Sequence, residues 1–189
     1  ILTRQDNYDK AKIYLDKALS TALVSLDSNN LVLATTYLSL GVNYAAQENY
    51  EQSLSCHYKA LSIRLLKLGE YHVDVATCYG NIGNVYLRSK DVNNALEAHL
   101  KAMKIRELLY GETGVEVIQS YTNVGNVYKE KKDYNTSLSY YEKALKNKTI
   151  QLGEGHKDLF KFYKNISDVY YLMGNKSQGD DYKTKSEKN

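Results

Sequence analysis

The chain has 189 residues, 43% of them apolar and 25% charged, with no proline and a formal net charge of +3. That composition supports a helical globular or solenoid protein. Its interleaved acids and bases exclude the clustered Lys/Arg footprint of a nucleic-acid binder. Two cysteines, Cys56 and Cys78, make neither a disulfide framework nor a paired metal spacing, which fits a reduced, cytoplasmic setting. No run of about 18 apolar residues marks a membrane span, and the first residues lack a signal-peptide layout.

Taken in chain order, residues 1–6 read as a stub and 8–27 as one amphipathic helix. Tyr8, Ala11, Leu15, Ala18 and Leu19 stand one step of 42 residues before Tyr50, Ser53, His57, Ala60 and Leu61. The same step carries Gly41 to Gly83 and Gly125, and Tyr37 to Tyr79, Tyr121 and Tyr163. A fixed period of this size marks stacked supersecondary units, each burying its apolar face against its neighbours. The units are a partial repeat at 1–30, full repeats at about 31–72, 73–114 and 115–156, and a terminal repeat at 157–189, together one domain. Because the chain opens on a second helix without its partner, it reads as part of a longer solenoid.

Each full unit predicts two helices. In the second, Tyr79, Ile82, Gly83 and Tyr86 form one stripe at helical spacing, and Ser89-Lys90-Asp91 breaks it. Ala95, Leu96, His99, Ala102 and Met103 form the next stripe. The third unit repeats this with Tyr121, Val124, Gly125 and Tyr128, then Leu138, Tyr141, Ala144 and Leu145. Tyr86 and Tyr128 are expected in the core. Leu68-Gly69-Glu70, Tyr110-Gly111-Glu112 and Leu152-Gly153-Glu154 join the units, each glycine being expected as a left-handed helix cap. Gly83 in mid-helix costs about 1 kcal/mol against alanine, so two helix backbones are expected to approach closely there. In the last unit the apolar positions become Gly179, Asp180, Ser186 and Glu187, a polar terminal helix with little to bury. Four Asn-x-Ser/Thr sequons, at Asn135, Asn147, Asn165 and Asn175, read as chance in an Asn-rich chain.

The succession of aromatic, Leu-Gly, Tyr, small residue, aromatic and Ala resembles the tetratricopeptide repeat. Tyr37, Leu40-Gly41, Tyr44, Ser53, His57 and Ala60 carry it, as do Tyr79, Ile82-Gly83, Tyr86, Ala95, His99 and Ala102. Tyr121, Val124-Gly125, Tyr128, Ser137, Tyr141 and Ala144 follow. The usual proline is missing, and the unit of 42 residues, Gly41 to Gly83, exceeds the common length of about 34. The longer unit and its Leu-Gly-x-x-His joints (Leu68 to His72, Leu152 to His156) are similar to the kinesin light chain repeats. The resemblance implies an all-α, right-handed superhelical solenoid of antiparallel helix pairs. It also implies a scaffold or adaptor that binds a linear peptide in its concave groove, without enzyme activity or cofactor.

In that family the groove is lined by the first-helix stripe opposite the core. Here the stripe holds Asn81 and Asn84, Asn123 and Asn126, then Asn165 and Asp168. An asparagine amide donates and accepts at once, which suits the backbone of an extended peptide; the alternative is a general bias to asparagine, seen also at Asn29, Asn30, Asn93 and Asn94. Arg88, Lys129, Lys161 and Lys164 flank the row and favour an acidic segment, diluted by Glu130 and Asp168. Leu38, Val42, Ala45 and Ala46 on the same stripe suit either an apolar ligand side chain or a neighbouring helix. The pairs Leu38/Val42, Gly80/Asn84, Thr122/Asn126 and Lys164/Asp168 lack the Lys-Asn signature of the clamp for chaperone C-terminal carboxylates. His57 and His99 stand at core aromatic positions, and His72 and His156 at joints. No zinc spacing, P-loop or nucleotide-binding glycine fingerprint occurs. The alternative reading is a sensor or regulatory arm of a larger signalling ATPase.

Overall fold

The computed structural model describes residues 4–25 and 27–187. They form α1 (Arg4–Ser25), α2 (Leu31–Ala46), α3 (Tyr50–Leu68), α4 (Val73–Arg88) and α5 (Val92–Tyr110). There follow α6 (Val115–Glu130), α7 (Tyr134–Leu152), a 3-10 turn at Lys157–Leu159, α8 (Phe160–Leu172) and α9 (Lys176–Glu187), with no strand among the described residues. The chain divides into two compact units between Ile105 and Arg106. In the first, α2 packs between α1 and α3, and α3 on α4; in the second, α6 packs on α7, α7 on α8 and α8 on α9.

Within each helix pair the turn repeats atom for atom. Glu48, Lys90, Lys132 and Gly174 each take a positive φ, at 63°, 67°, 62° and 77°. The next residue's N–H reaches back to a tyrosine carbonyl: Asn49 to Tyr44, Asp91 to Tyr86, Asp133 to Tyr128 and Asn175 to Tyr170, at 2.9–3.0 Å. This six-to-one bond satisfies a carbonyl that the helix end leaves unpaired. The left-handed cap expected at the joints therefore lies inside the pairs. Gly69 and Gly153 at the joints adopt φ 78°, ψ 171° and φ 81°, ψ 161° instead, a region open only to glycine. After two of these joints a histidine starts the next helix. His72 Nδ1 accepts from the Asp74 N–H at 3.0 Å, and His156 Nδ1 from the Asp158 N–H at 3.1 Å.

The mid-helix glycines face rings rather than backbones, which corrects the expected close approach of two helices. A Cβ on Gly41 would lie 2.5 Å from His57 Cε1, one on Gly83 2.8 Å from His99, and one on Gly125 2.8 Å from Tyr141. Each ring lies on its glycine because a side chain there would exclude it. A serine fastens the same contact, with Ser53 Oγ donating to Gly41 O at 2.7 Å and Ser137 Oγ to Gly125 O at 2.9 Å.

Core tyrosines divide differently from the expectation. Tyr121 and Tyr141 are fully buried, whereas Tyr86 and Tyr128 are half-buried. Their phenols stay near the surface and pair there. Tyr86 OH meets Tyr58 OH at 3.1 Å, and the Tyr128 ring stacks on Tyr140 with centroids 5.8 Å apart. α9 forms as a helix that is exposed except for buried Gly179 and half-buried Tyr182 and Ser186. The Tyr182 ring stacks on Tyr170 at 5.6 Å, fixing that helix to α8. Of the sequon asparagines, Asn147 is buried and donates Nδ2–H to Glu112 O at 2.6 Å, so its amide is closed to modification.

Candidate peptide-binding surface

In the first unit α2, α3 and α4 together shape a cavity of about 270 Å³ lined by Val42, Ala45, Ala46, His57, Asn81, Asn84, Val85 and Arg88. Its wall is largely apolar because Val42, Ala45 and Ala46 of α2 line it together with Val85 of α4. Asn81, Asn84 and Arg88 recur at a spacing of 3 and 4 on α4 and thus share one face. Asn81 is half-buried, and Asn84 and Arg88 are exposed. Neither asparagine amide makes a hydrogen bond among the described residues. The Arg88 guanidinium lies 5.6 Å from the centre of the Tyr50 ring, a cation–π contact that holds the charge beside the cavity. His57 sits at the base, 1% exposed, and desolvation lowers its pKa to about 4, so the imidazole is neutral at pH 7.

The second unit carries Asn123, Asn126 and Lys129 on α6, and Lys161, Lys164 and Asn165 on α8. Its asparagines differ from those of α4. Asn123 Oδ1 accepts from Gln119 Nε2 at 2.8 Å, and Asn126 Oδ1 accepts from the Tyr141 hydroxyl. Those two carbonyls are engaged within the protein, contrary to a row of free amides; Asn165 makes no hydrogen bond among the described residues. Lys129 is half-buried and Lys164 exposed, while Lys161 Nζ lies 5.1 Å from the centre of the Phe162 ring. No hydrogen bond or ion pair joins the α6 set to the α8 set among the described residues.

A second periodic surface escaped sequence reasoning. Lys59, Lys101 and Lys143 place Nζ 5.3, 5.6 and 5.7 Å from the ring centres of Tyr37, Tyr79 and Tyr121. Lys185, one further step along, covers Tyr182 at 4.7 Å. These lysines share the step of the glycines, so the signal was there to be counted. Among the described residues no three His, Cys, Asp or Glu side chains are grouped for a metal ion, and no helix is long and apolar enough to cross a membrane.

A family model described as tetratricopeptide repeat matches residues 1–65, 32–108 and 74–150. The chain belongs to the tetratricopeptide repeat family. Its fold is the all-α helix-pair solenoid of that family, and solved kinesin-light-chain-like repeats are among the structures it resembles. BtubC (BKLC) from P. vanneervenii is similar at TM-score 0.82 and 22% identity, over 97% of this chain and 73% of that one. A putative kinesin light chain of Podosopora anserina, with nearly identical TPR-like repeats, is similar at TM-score 0.83 and 12% identity, over 97% and 87%. MamA follows at 0.64 and 18%, over 98% and 94%. Among curated proteins nothing matches the chain. Membership of this family supports a protein-interaction scaffold.

Proposed function

We propose that this tetratricopeptide protein is a cytoplasmic, non-catalytic adaptor that binds a linear peptide segment, with acidic residues in the segment favoured. The observation that carries the reading is the α4 face. Two unpartnered amides, Asn81 and Asn84, stand beside an apolar wall and the Arg88 cation. An extended backbone offers alternating N–H and C=O groups that such amides pair with. The apolar wall holds a side chain, and Arg88 meets a carboxylate. In the second unit Asn165, Lys129, Lys161 and Lys164 offer contacts of the same kind, whereas Asn123 and Asn126 offer only their Nδ2–H donors because their carbonyls are engaged.

Fluorescence anisotropy against a library of labelled peptides, half of them acidic, tests this. Acidic members should bind more tightly, and Asn81→Ala with Asn84→Ala should weaken the best of them about tenfold, the scale of one or two net hydrogen bonds. Equal binding of acidic and neutral peptides, or unchanged affinity in the double variant, would overturn the reading.

A further inference from the structure

The joint between α5 and α6 exposes more apolar surface than a helix connection needs. Leu108, Leu109, Tyr110 and Val115 all stand exposed there, Leu108 at 64%. Ile150 of α7, one step of 42 after Leu108, is 66% exposed and borders the same joint. A cavity of about 310 Å³ lies between Glu112 and Thr113 of the joint and Lys143, Lys146 and Ile150 of α7. The surface is preformed. Asn147 Nδ2 donates to Glu112 O at 2.6 Å, tying the joint to α7, and Gly114 closes onto Tyr110, where an added Cβ would lie 2.6 Å from the Tyr110 Cβ. Charges of both signs stand beside it. The Glu112 carboxylate and the Lys146 ammonium line one cavity, yet neither forms an ion pair or a side-chain hydrogen bond among the described residues.

We propose that this edge is the interface of a two-fold symmetric dimer of the chain, with Leu108, Tyr110, Val115 and Ile150 packed across the axis and Glu112 of each copy paired with Lys146 of the other. Exposed apolar patches mark interaction sites, and here the charges select the occupant. A basic partner would satisfy Glu112 and meet Lys146 as a like charge; an acidic one would do the reverse. An uncharged apolar partner would desolvate both charges and pair neither. A second copy sets carboxylate against ammonium twice, because an isologous interface brings one patch against itself. Lys143 is not needed for this, its charge being held over the rings of Tyr121 and Tyr140 at 5.7 Å each. None of these residues belongs to the candidate peptide-binding surface, so the dimer stands or falls independently of a bound peptide.

Sedimentation velocity of the full chain, at low salt and over micromolar to submillimolar concentrations, tests the dimer. The wild type should pass from monomer to dimer and no further, and Leu108→Glu should keep it monomeric. Glu112→Lys and Lys146→Glu should each weaken the dimer about tenfold, the scale of two surface ion pairs together. The double variant exchanges the charges and should restore it. All three side chains are exposed in the single chain, so far-UV circular dichroism of the variants should match the wild type. A monomer at every concentration, a dimer untouched by Leu108→Glu, growth into larger assemblies, or a double variant no tighter than the single ones would each overturn the interface. Should Leu108→Glu not fold, the charge exchange alone decides.

Discussion

Ser167 Oγ donates to the carbonyl oxygen of Gly179 across 2.7 Å, running from the first helix of its pair to the second. In the earlier pairs the direction is opposite, since Ser53 and Ser137 on second helices donate to Gly41 and Gly125 on first helices. The ring changes sides as well. Tyr171 of α8 lies over Gly179 of α9, as Tyr141 of α7 lies over Gly125 of α6. The contact of glycine, hydroxyl and ring is thus kept in the last pair with its helices exchanged. One difference remains between the two rings: Tyr141 is 0% exposed and Tyr171 38%.

That difference separates two otherwise matched substitutions. A Cβ at Gly125 or at Gly179 meets ring atoms at 2.8 Å. Tyr141 is enclosed and cannot retreat, so Gly125→Ala should destabilise the fold by about 1–3 kcal/mol through overpacking. Tyr171 can swing into solvent, and at Gly179 alanine gains about 1 kcal/mol of helix propensity, leaving little net change. Urea denaturation of the two variants checks this. A stabilised Gly125→Ala would show that the ring is not locked.

The period made much of this legible, and its limits are physical. Helix number, pairing and the glycine stripe follow from the step that links Gly41, Gly83 and Gly125, because stacking forces equivalent residues into equivalent places. The swapped contact at Ser167 and Gly179 was hidden. The period marked Gly179 only as a lost apolar position of a polar terminal helix, whereas packing makes it the glycine on which the ring of Tyr171 lies. Glu48, Lys90 and Lys132 give no sign of the left-handed turns in the sequence, because glycine is the usual bearer of positive φ. At the candidate surface the asparagine row was visible, but the partners of Asn123 and Asn126 were not. They depend on side chains from Gln119 and Tyr141 that only three-dimensional packing brings within reach.

The turn series carries its own test. Lys132 and Glu48 hold φ near 62° and 63° with a Cβ, whereas Gly174 holds the same conformation without one. Lys132→Gly and Glu48→Gly should each gain up to about 1 kcal/mol by relieving the left-handed strain. Gly174→Ala should lose a similar amount. Thermal melts of the three variants should therefore move in opposite directions, and a destabilised Lys132→Gly would mean that its side chain matters more than its backbone.

His57 sets a pH dependence. Burial lowers its pKa from 6.5 to about 4, so the unfolded chain binds the proton more readily than the folded one. Its contribution to stability is therefore complete above about pH 6.5 and is lost as pH falls toward 4, by at most about 1.4 kcal/mol per pH unit. Between pH 6.5 and 4.5 the urea midpoint of the wild type should fall more steeply than that of His57→Phe. Parallel slopes would show that the imidazole is hydrated in the folded protein.

The two kinds of asparagine should respond to alanine in opposite ways. Asn126 accepts the Tyr141 hydroxyl, and burial together with nearby carboxylates raises the pKa of that phenol further above its ordinary range. Removing the acceptor strands a phenolic O–H whose ring is fully enclosed, so Asn126→Ala should cost about 1–3 kcal/mol of stability. Asn84 is exposed and unpartnered among the described residues. Asn84→Ala should leave stability unchanged or slightly raised, because alanine is the better helix former. In binding the order should reverse. Asn84→Ala removes an amide that is free to meet a peptide, whereas the carbonyl of Asn126 is already engaged. Urea denaturation paired with peptide anisotropy on the same two variants reads both effects. Equal stability losses would show that the Tyr141 bond contributes nothing, and equal affinity losses would show that a ligand displaces it.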